Sequence, residues 1–276
     1  MSSAALQQEM LQALEWYADH GVHDIWLDDV QDHTKTVIEA APVVSHILQN
    51  QPLNAAPPAF LGKSEAYEEA VRLAAGANSL DDLQAALVDF DGIALKKTAT
   101  NMVFCDGNAQ AHVMLIGEAP GADEDRQGKP FVGASGQLLD KILSCIGLDR
   151  QEEDPEKSIY ISNILNWRPP GNRTPAPAEI EVSLPFIERH IQLVQPKILI
   201  LCGGVVAKSL LGRSEGISRL RKSWHEYKPL TKGLEQGGRG SIPAIATYHP
   251  SYLLGSPAQK KLVWADMLEI VQKIGG

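Results

Sequence analysis

The sequence predicts an α/β fold: a three-layer α/β/α sandwich with a central four-stranded parallel sheet, plus an N-terminal helical extension. Three observations predict it. After about residue 90, short apolar runs alternate with amphipathic helical stretches four times, and strand alternating with helix puts parallel strands between two helical layers. The third run, KILILCG, is almost wholly apolar, as a strand buried on both faces must be. The first 90 residues lack this alternation and read as helices separated by polar, proline-containing turns.

Taken in order, the helical spacing of Leu6, Met10, Leu14 and Tyr17 predicts a first helix over about 4–18. A stretch containing AAP and QPLNAAPPAF follows and reads as linker or loop. Helices are then expected over about 64–76 and 80–89, the last opened by Ser79 with Asp82 three residues on. A boundary near residue 90 separates an acidic, mostly helical extension, 1–90, from the domain expected over 91–276. In that domain HVMLIG (112–117), SIYISNIL (158–165), KILILCG (197–203) and IPAIATYH (242–249) are the expected strands. Helices are expected at about 134–146, 177–194, 204–212 and 258–273.

Composition excludes several classes of function. The 276 residues are 44% hydrophobic and 21% charged, and no apolar run approaches the roughly 20 residues that span a bilayer. The N-terminus carries acids and a Trp where a secretory signal has basic residues and then an apolar core. A cytoplasmic protein, away from membranes and monomeric, is the expectation. Cys105, Cys145 and Cys202 are too few and too far apart for a disulfide framework or a CxxC zinc pattern. Among eight histidines there is no HExxH pair, so no metal site is expected. The net charge of −9 is segregated: residues 1–100 carry 5 basic and 15 acidic side chains, residues 201–276 carry 11 and 5. A polyanion can therefore meet a locally basic C-terminal face despite the acidic total.

In an open parallel sheet the ligand site lies outside the carboxyl ends of the strands. After the first strand comes GEAPGADEDRQGKPFVGASGQLL, whose glycines let backbone approach a ligand and which packs in Glu118, Glu124 and Asp125. It matches neither GxGxxG nor GxxxxGK[ST], so both standard nucleotide loops fail. Asn163 lies near the end of the second strand; its amide offers the acceptor and donors needed to read a pyrimidine edge, or to close a turn. Arg168 and Arg173 flank a rigid PPGN turn, and RSEGISRLRK adds Arg219, Arg221 and Lys222. These five are the candidate phosphate contacts. The fourth strand ends in TYHPSYLLGSP, which places His249 at the crevice, with Tyr248, Tyr252, Leu253 and Leu254 adding apolar and aromatic bulk to the same rim.

GEAPGADEDRQGKPFVG, SNILNWRPPGNRTP, GISRLRKSWH and ATYHPSYLL, in this order, resemble the uracil-DNA glycosylase superfamily and within it the family 4 type. The resemblance runs from about residue 90 to the C-terminus. It implies that Phe131 stacks on a flipped uracil, that Asn163 reads the base and that His249 lies near uracil O2. It also implies that Glu118, with Gly117, Ala119 and Gly121, surrounds the sugar and the attacking water; Glu124 and Asp125 belong to that loop. DNA contacts would come from the five basic residues and Ser251, with Leu253 or Leu254 filling the gap in the base stack.

Family 4 members resemble one another in holding a four-iron four-sulfur cluster on four cysteines. The matching positions here are Phe90, Ile93, Trp167 and Ser183, none of which is a thiolate. No cofactor is therefore expected, and a packed apolar plug is expected in the vacated space. Gly255 stands where HPSYLL is usually followed by Arg, and the KRRIH insertion of covalent DNA-trapping relatives is missing. The resemblance implies a DNA repair glycosylase that extrudes uracil from single- or double-stranded DNA and hydrolyses its N-glycosidic bond. A non-catalytic binder of uracil-containing or damaged DNA and a small-molecule nucleoside hydrolase are the competing readings.

Overall fold

A computed structural model describes residues 65–234 and 240–275. The helix expected over 4–18 and the linker after it lie outside the described residues. Residues on both sides of the boundary expected near residue 90 are described.

Two helices open the described chain, α1 (Glu65–Gly76) and α2 (Leu80–Asp89). Ser79 caps α2 by accepting a hydrogen bond from Asp82 N at 3.1 Å, which satisfies one of the donors left over in a first helical turn. After them come β1 (Cys105–Gly107), β2 (Val113–Gly117), α3 (Ala122–Gln127), α4 (Ala134–Ser144) and β3 (Ile159–Asn163). The chain continues through α5 (Pro177–Val194), β4 (Ile198–Cys202), α6 (Gly204–Leu211), α7 (Ile217–Leu220) and β5 (Trp224–Tyr227). It ends with β6 (Ile242–Thr247), α8 (Pro250–Gly255) and α9 (Lys260–Gly275).

The sheet order is β1-β3-β2-β4-β6-β5. The four expected strands are all present, adjacent and mutually parallel. Two antiparallel edge strands, β1 on β3 and β5 on β6, make the sheet six-stranded instead of four-stranded. These edges were illegible because three and four residues, CDG and WHEY, are too short to show a period. Within the loop after β2, the stretch expected to be irregular contains α3, closed by Gly128 at φ 71°.

Alternation of side chains sends Met114, Ile116, Leu199 and Leu201 to one face, where they meet Ile187, Ile191, Val206 and Leu210 from α5 and α6. Val113, Leu115, Ile159 and Ile161 go to the other, against Leu139, Leu143, Val263, Met267 and Ile270 of α4 and α9. A third apolar cluster joins α1 and α2 to α5 through Ala70, Leu83, Leu87, Val182 and Phe186.

Phe90, Ile93 and Trp167 all lie in that third cluster, buried. The rings of Phe90 and Phe186 are 5.2 Å apart at 50°. Ser183, next to Val182, is also buried, and its hydroxyl has no hydrogen-bond partner among the described residues. An iron–sulfur cluster needs thiolates and the space they enclose; aromatic and aliphatic carbon fills this region and no cysteine stands at the four positions. The residues present do not fit such a group.

Candidate active site

The parallel register brings Gly117 and Asn163 side by side as the last pair of β2 and β3. On the other side of β2, Cys202 of β4 pairs with Thr247 of β6, and the chain leaves them through Gly203 and His249. These ends open into a cavity of about 740 Å³ lined by Glu118, Ala119, Gly121, Glu124, Phe131, Asn163, His249 and Ser251, among others. Its position is the one a parallel sheet dictates. Residues from four separate strand ends therefore share one space.

Phe131 enters it from a backbone held at φ 52°, a left-handed conformation that an aromatic residue rarely adopts unless its surroundings impose it. Two side chains impose it here. Arg150 donates from Nη1 to Pro130 O at 2.8 Å and from Nη2 to Phe131 O at 3.0 Å, while pairing with Asp140 at 2.6 Å and Asp106 at 3.2 Å. Glu124 accepts from Val132 N and Gly133 N, both at 2.9 Å, and from Gly121 N at 3.1 Å, clamping the two limbs of the glycine loop. Gly136 completes the fit, since a Cβ there would stand 2.0 Å from Phe131 O.

Arg150 was not visible as a functional residue because it lies 19 positions from its partner. Replacing it with methionine is expected to cost about 2 kcal/mol of stability, read from urea denaturation, and to lower the rate of the site's reaction by releasing Phe131. Unchanged urea midpoints would show that the carbonyls are held some other way.

His249 stands 5.3 Å from Phe131, ring to ring, at an interplanar angle of 29°. It is the N-cap of α8. Ser251 N donates to its Nδ1 at 3.2 Å, and Ser251 Oγ lies 2.7 Å from the same atom. With Nδ1 accepting, the neutral ring carries its proton on Nε2. Burial pulls the His249 pKa down to about 4, against a smaller upward pull from the Glu124 charge. The ring is thus neutral at pH 7, a hydrogen-bond donor without a charge.

Asn163 is buried at the cavity wall, and among the described residues its side-chain amide has no protein hydrogen-bond partner. Glu118 lines the same wall, and burial pushes its carboxyl pKa up from the ordinary 4.5. An amide and a carboxyl group left unpaired beside a cavity are available to a ligand.

Several expected contacts are elsewhere. Asp125 does not line the cavity; its Oδ1 accepts from Thr100 N at 2.8 Å and Asn101 N at 3.0 Å, a structural tether. Arg221 is no phosphate contact: it is clamped to Asp266 at 2.6 and 3.1 Å and donates to Leu262 O. Leu253 is wholly buried in the core and can wedge nothing, whereas Leu254 is half exposed. Arg168 braces the PPGN turn through Asn172 at 2.7 Å and approaches Asp125 at 4.0 Å. Arg173 does line the cavity, paired with Glu179 at 2.6 Å. Arg219 and Lys222 are exposed outside the cavity wall. Lys208 on α6 lines it and had no motif to announce it.

Residues 104–268 match the family described as the uracil DNA glycosylase superfamily. The chain belongs to that superfamily. It is 34% identical over 201 residues to the type-4 uracil-DNA glycosylase of Archaeoglobus fulgidus, an alignment covering 71% of this chain and 94% of that one. The type-4 uracil-DNA glycosylase of Sulfurisphaera tokodaii is 30% identical over 198 residues, covering 70% and 84%. That of Pyrobaculum aerophilum is 34% identical over 183 residues, covering 65% and 86%. All of the cavity residues named above fall within the superfamily match. The first 103 residues, which carry 15 of the 34 acidic side chains, lie outside it.

Proposed function

We propose that this superfamily member is a uracil-DNA glycosylase that works without an iron–sulfur cluster. The observation that carries the reading is the convergence of Asn163, Phe131, His249 and Glu118 on one cavity at the strand ends. Uracil in a duplex hides both its pairing edge and its glycosidic bond, so the nucleotide must first be extruded, at a cost of a few kcal/mol. Arg173 and Lys208 at the cavity wall offset part of that cost through phosphate, and exposed Leu254 is the available wedge.

In the cavity, the Asn163 amide donates to uracil O4 and accepts from N3–H. Cytosine presents the reverse pair at those atoms, leaving buried groups unmatched. As the C1′–N1 bond breaks, its electron pair leaves with the base, and Nε2–H of neutral His249 stabilises the anion at O2. The Glu118 carboxylate faces the cationic sugar; a water oxygen bonds to C1′ and yields its proton to that carboxylate. The uracil anion then takes a proton from solvent.

Our reading is of a monomer acting on DNA in the cytoplasm. Supporting it, no helix among the described residues is long and apolar enough to cross a membrane. Light scattering should give one species near 30.0 kDa. The activity is tested by incubating the purified full chain with an oligonucleotide carrying one U, single-stranded or opposite G. Uracil release is expected; tight binding with no release would make the protein a sensor of uracil-containing DNA instead.

A further inference from the structure

Beside the cavity mouth the protein exposes an aromatic step whose rigidity the reaction described above does not use. Tyr252 follows Ser251, which lines the cavity, and is 47% exposed. Its ring packs on that of Tyr248, centroids 5.2 Å apart at 41°. Tyr248 is fixed in turn. Its hydroxyl lies 3.0 Å from Ser218 Oγ on α7, and the Arg221 guanidinium stands 5.4 Å from its ring centroid. Arg221 is itself clamped to Asp266 on α9. Two helices therefore brace one exposed tyrosine through a second.

We infer that Tyr252, supported by Tyr248 and Arg221, is a stacking platform for the unpaired base next to the extruded uracil, so that the site favours single-stranded DNA. The inference rests on the cavity being the uracil site. An exposed tyrosine held in place loses little freedom when a base stacks on it, and any base offers a π face, so the contact needs no particular neighbouring sequence. A cation near the supporting ring strengthens the same stack. In a duplex the neighbouring base is already paired and stacked, so the platform gains nothing there. This is why the effect should separate the two substrates.

The test compares wild type, Tyr252→Ala and Tyr252→Phe in uracil release from single-stranded and U:G duplex oligonucleotides. It also uses single strands in which the base on either side of U is replaced by a tetrahydrofuran spacer. Tyr252→Ala is expected to raise KM on the single strand about tenfold, the scale of one lost base–aromatic stack, with kcat within about twofold. Phenylalanine should restore KM. Wild type should show the same tenfold loss on one of the two spacer substrates, to which Tyr252→Ala should be indifferent. An unchanged KM, or equal losses on single strand and duplex, would overturn the inference.

Should wild type release no uracil, the reading of the cavity fails but the platform is still tested. Fluorescence anisotropy with a uracil-free single strand should then show binding weakened about tenfold by Tyr252→Ala. Equal Kd values for the two proteins would overturn it.

Discussion

Replacing His249 with alanine is expected to lower uracil release about a hundredfold, the scale of one lost donor to a developing oxyanion, while the protein stays folded. The ring is placed for this by β6, which ends at Thr247, and by Ser251, which turns Nδ1 into an acceptor. Part of the loss is structural. His249 also caps α8, so about 1 kcal/mol of stability should go with it. Single-turnover rates on folded protein separate the two effects, and a wild-type rate in the variant would remove His249 from the chemistry.

The same residue sets a pH signature. Burial holds His249 near 4 in the folded chain, below the roughly 6.5 of a free histidine. As pH falls through 6.5 the unfolded chain takes up a proton that the folded chain refuses, so this histidine's contribution to stability falls with pH between 6.5 and about 4. Catalysis follows the folded value. The neutral donor persists at pH 5.5, and the acid limb of the wild-type rate belongs to Glu118, which takes its proton above the ordinary 4.5 because it is buried. In Glu118→Gln the residual rate should stay flat from pH 8 down to about 5. A limb centred near 6.5 in that variant would mean that His249 protonates like a free one.

Gly117→Ala is the second large expected effect, with uracil release falling by more than about a hundredfold. A Cβ on Gly117 would stand 2.3 Å from Asn163 Oδ1 and 2.6 Å from the Phe131 ring. Neither neighbour yields easily: Gly117 and Asn163 are locked in register within the sheet, and Arg150 and Glu124 pin the backbone on each side of Phe131. The methyl group would displace the residue that reads the base and the one that stacks on it together. Release kinetics and a thermal melt decide the matter. A variant that melts lower but turns over normally would show that the pocket tolerates the methyl group.

The parts of the site that could be read in advance share one property. Asn163 and His249 stand at or near the ends of strand-like runs, and the end of a parallel strand is a place whose exposure follows from connectivity alone. Phe131 was legible only through its family motif, for nothing in PFVG announces a left-handed backbone. The misassigned residues, Asp125, Arg221 and Leu253, sit in or beside true motifs but face the wrong way. In each case the helix containing the residue, or ending just before it, determines the direction of its side chain, and one residue along a helix turns it by about 100°. Hence Leu253 is buried while Leu254 is half exposed.

The alternation of strands and helices, the four parallel strands, the Ser79 cap and the strand ends that face a ligand all follow from the order of residues along the chain. Those are local properties, set by hydrophobic period and by backbone donors that need partners close in the chain. Folding in three dimensions was needed to show that β1 and β5 extend the sheet, that Arg150 and Glu124 hold Phe131, and that Arg221 supports a tyrosine instead of a phosphate. Each of these joins residues distant in sequence. A salt bridge, an edge pairing or a core contact depends on which surfaces the fold brings within a few ångströms, and one chain read alone carries no direct record of that distance.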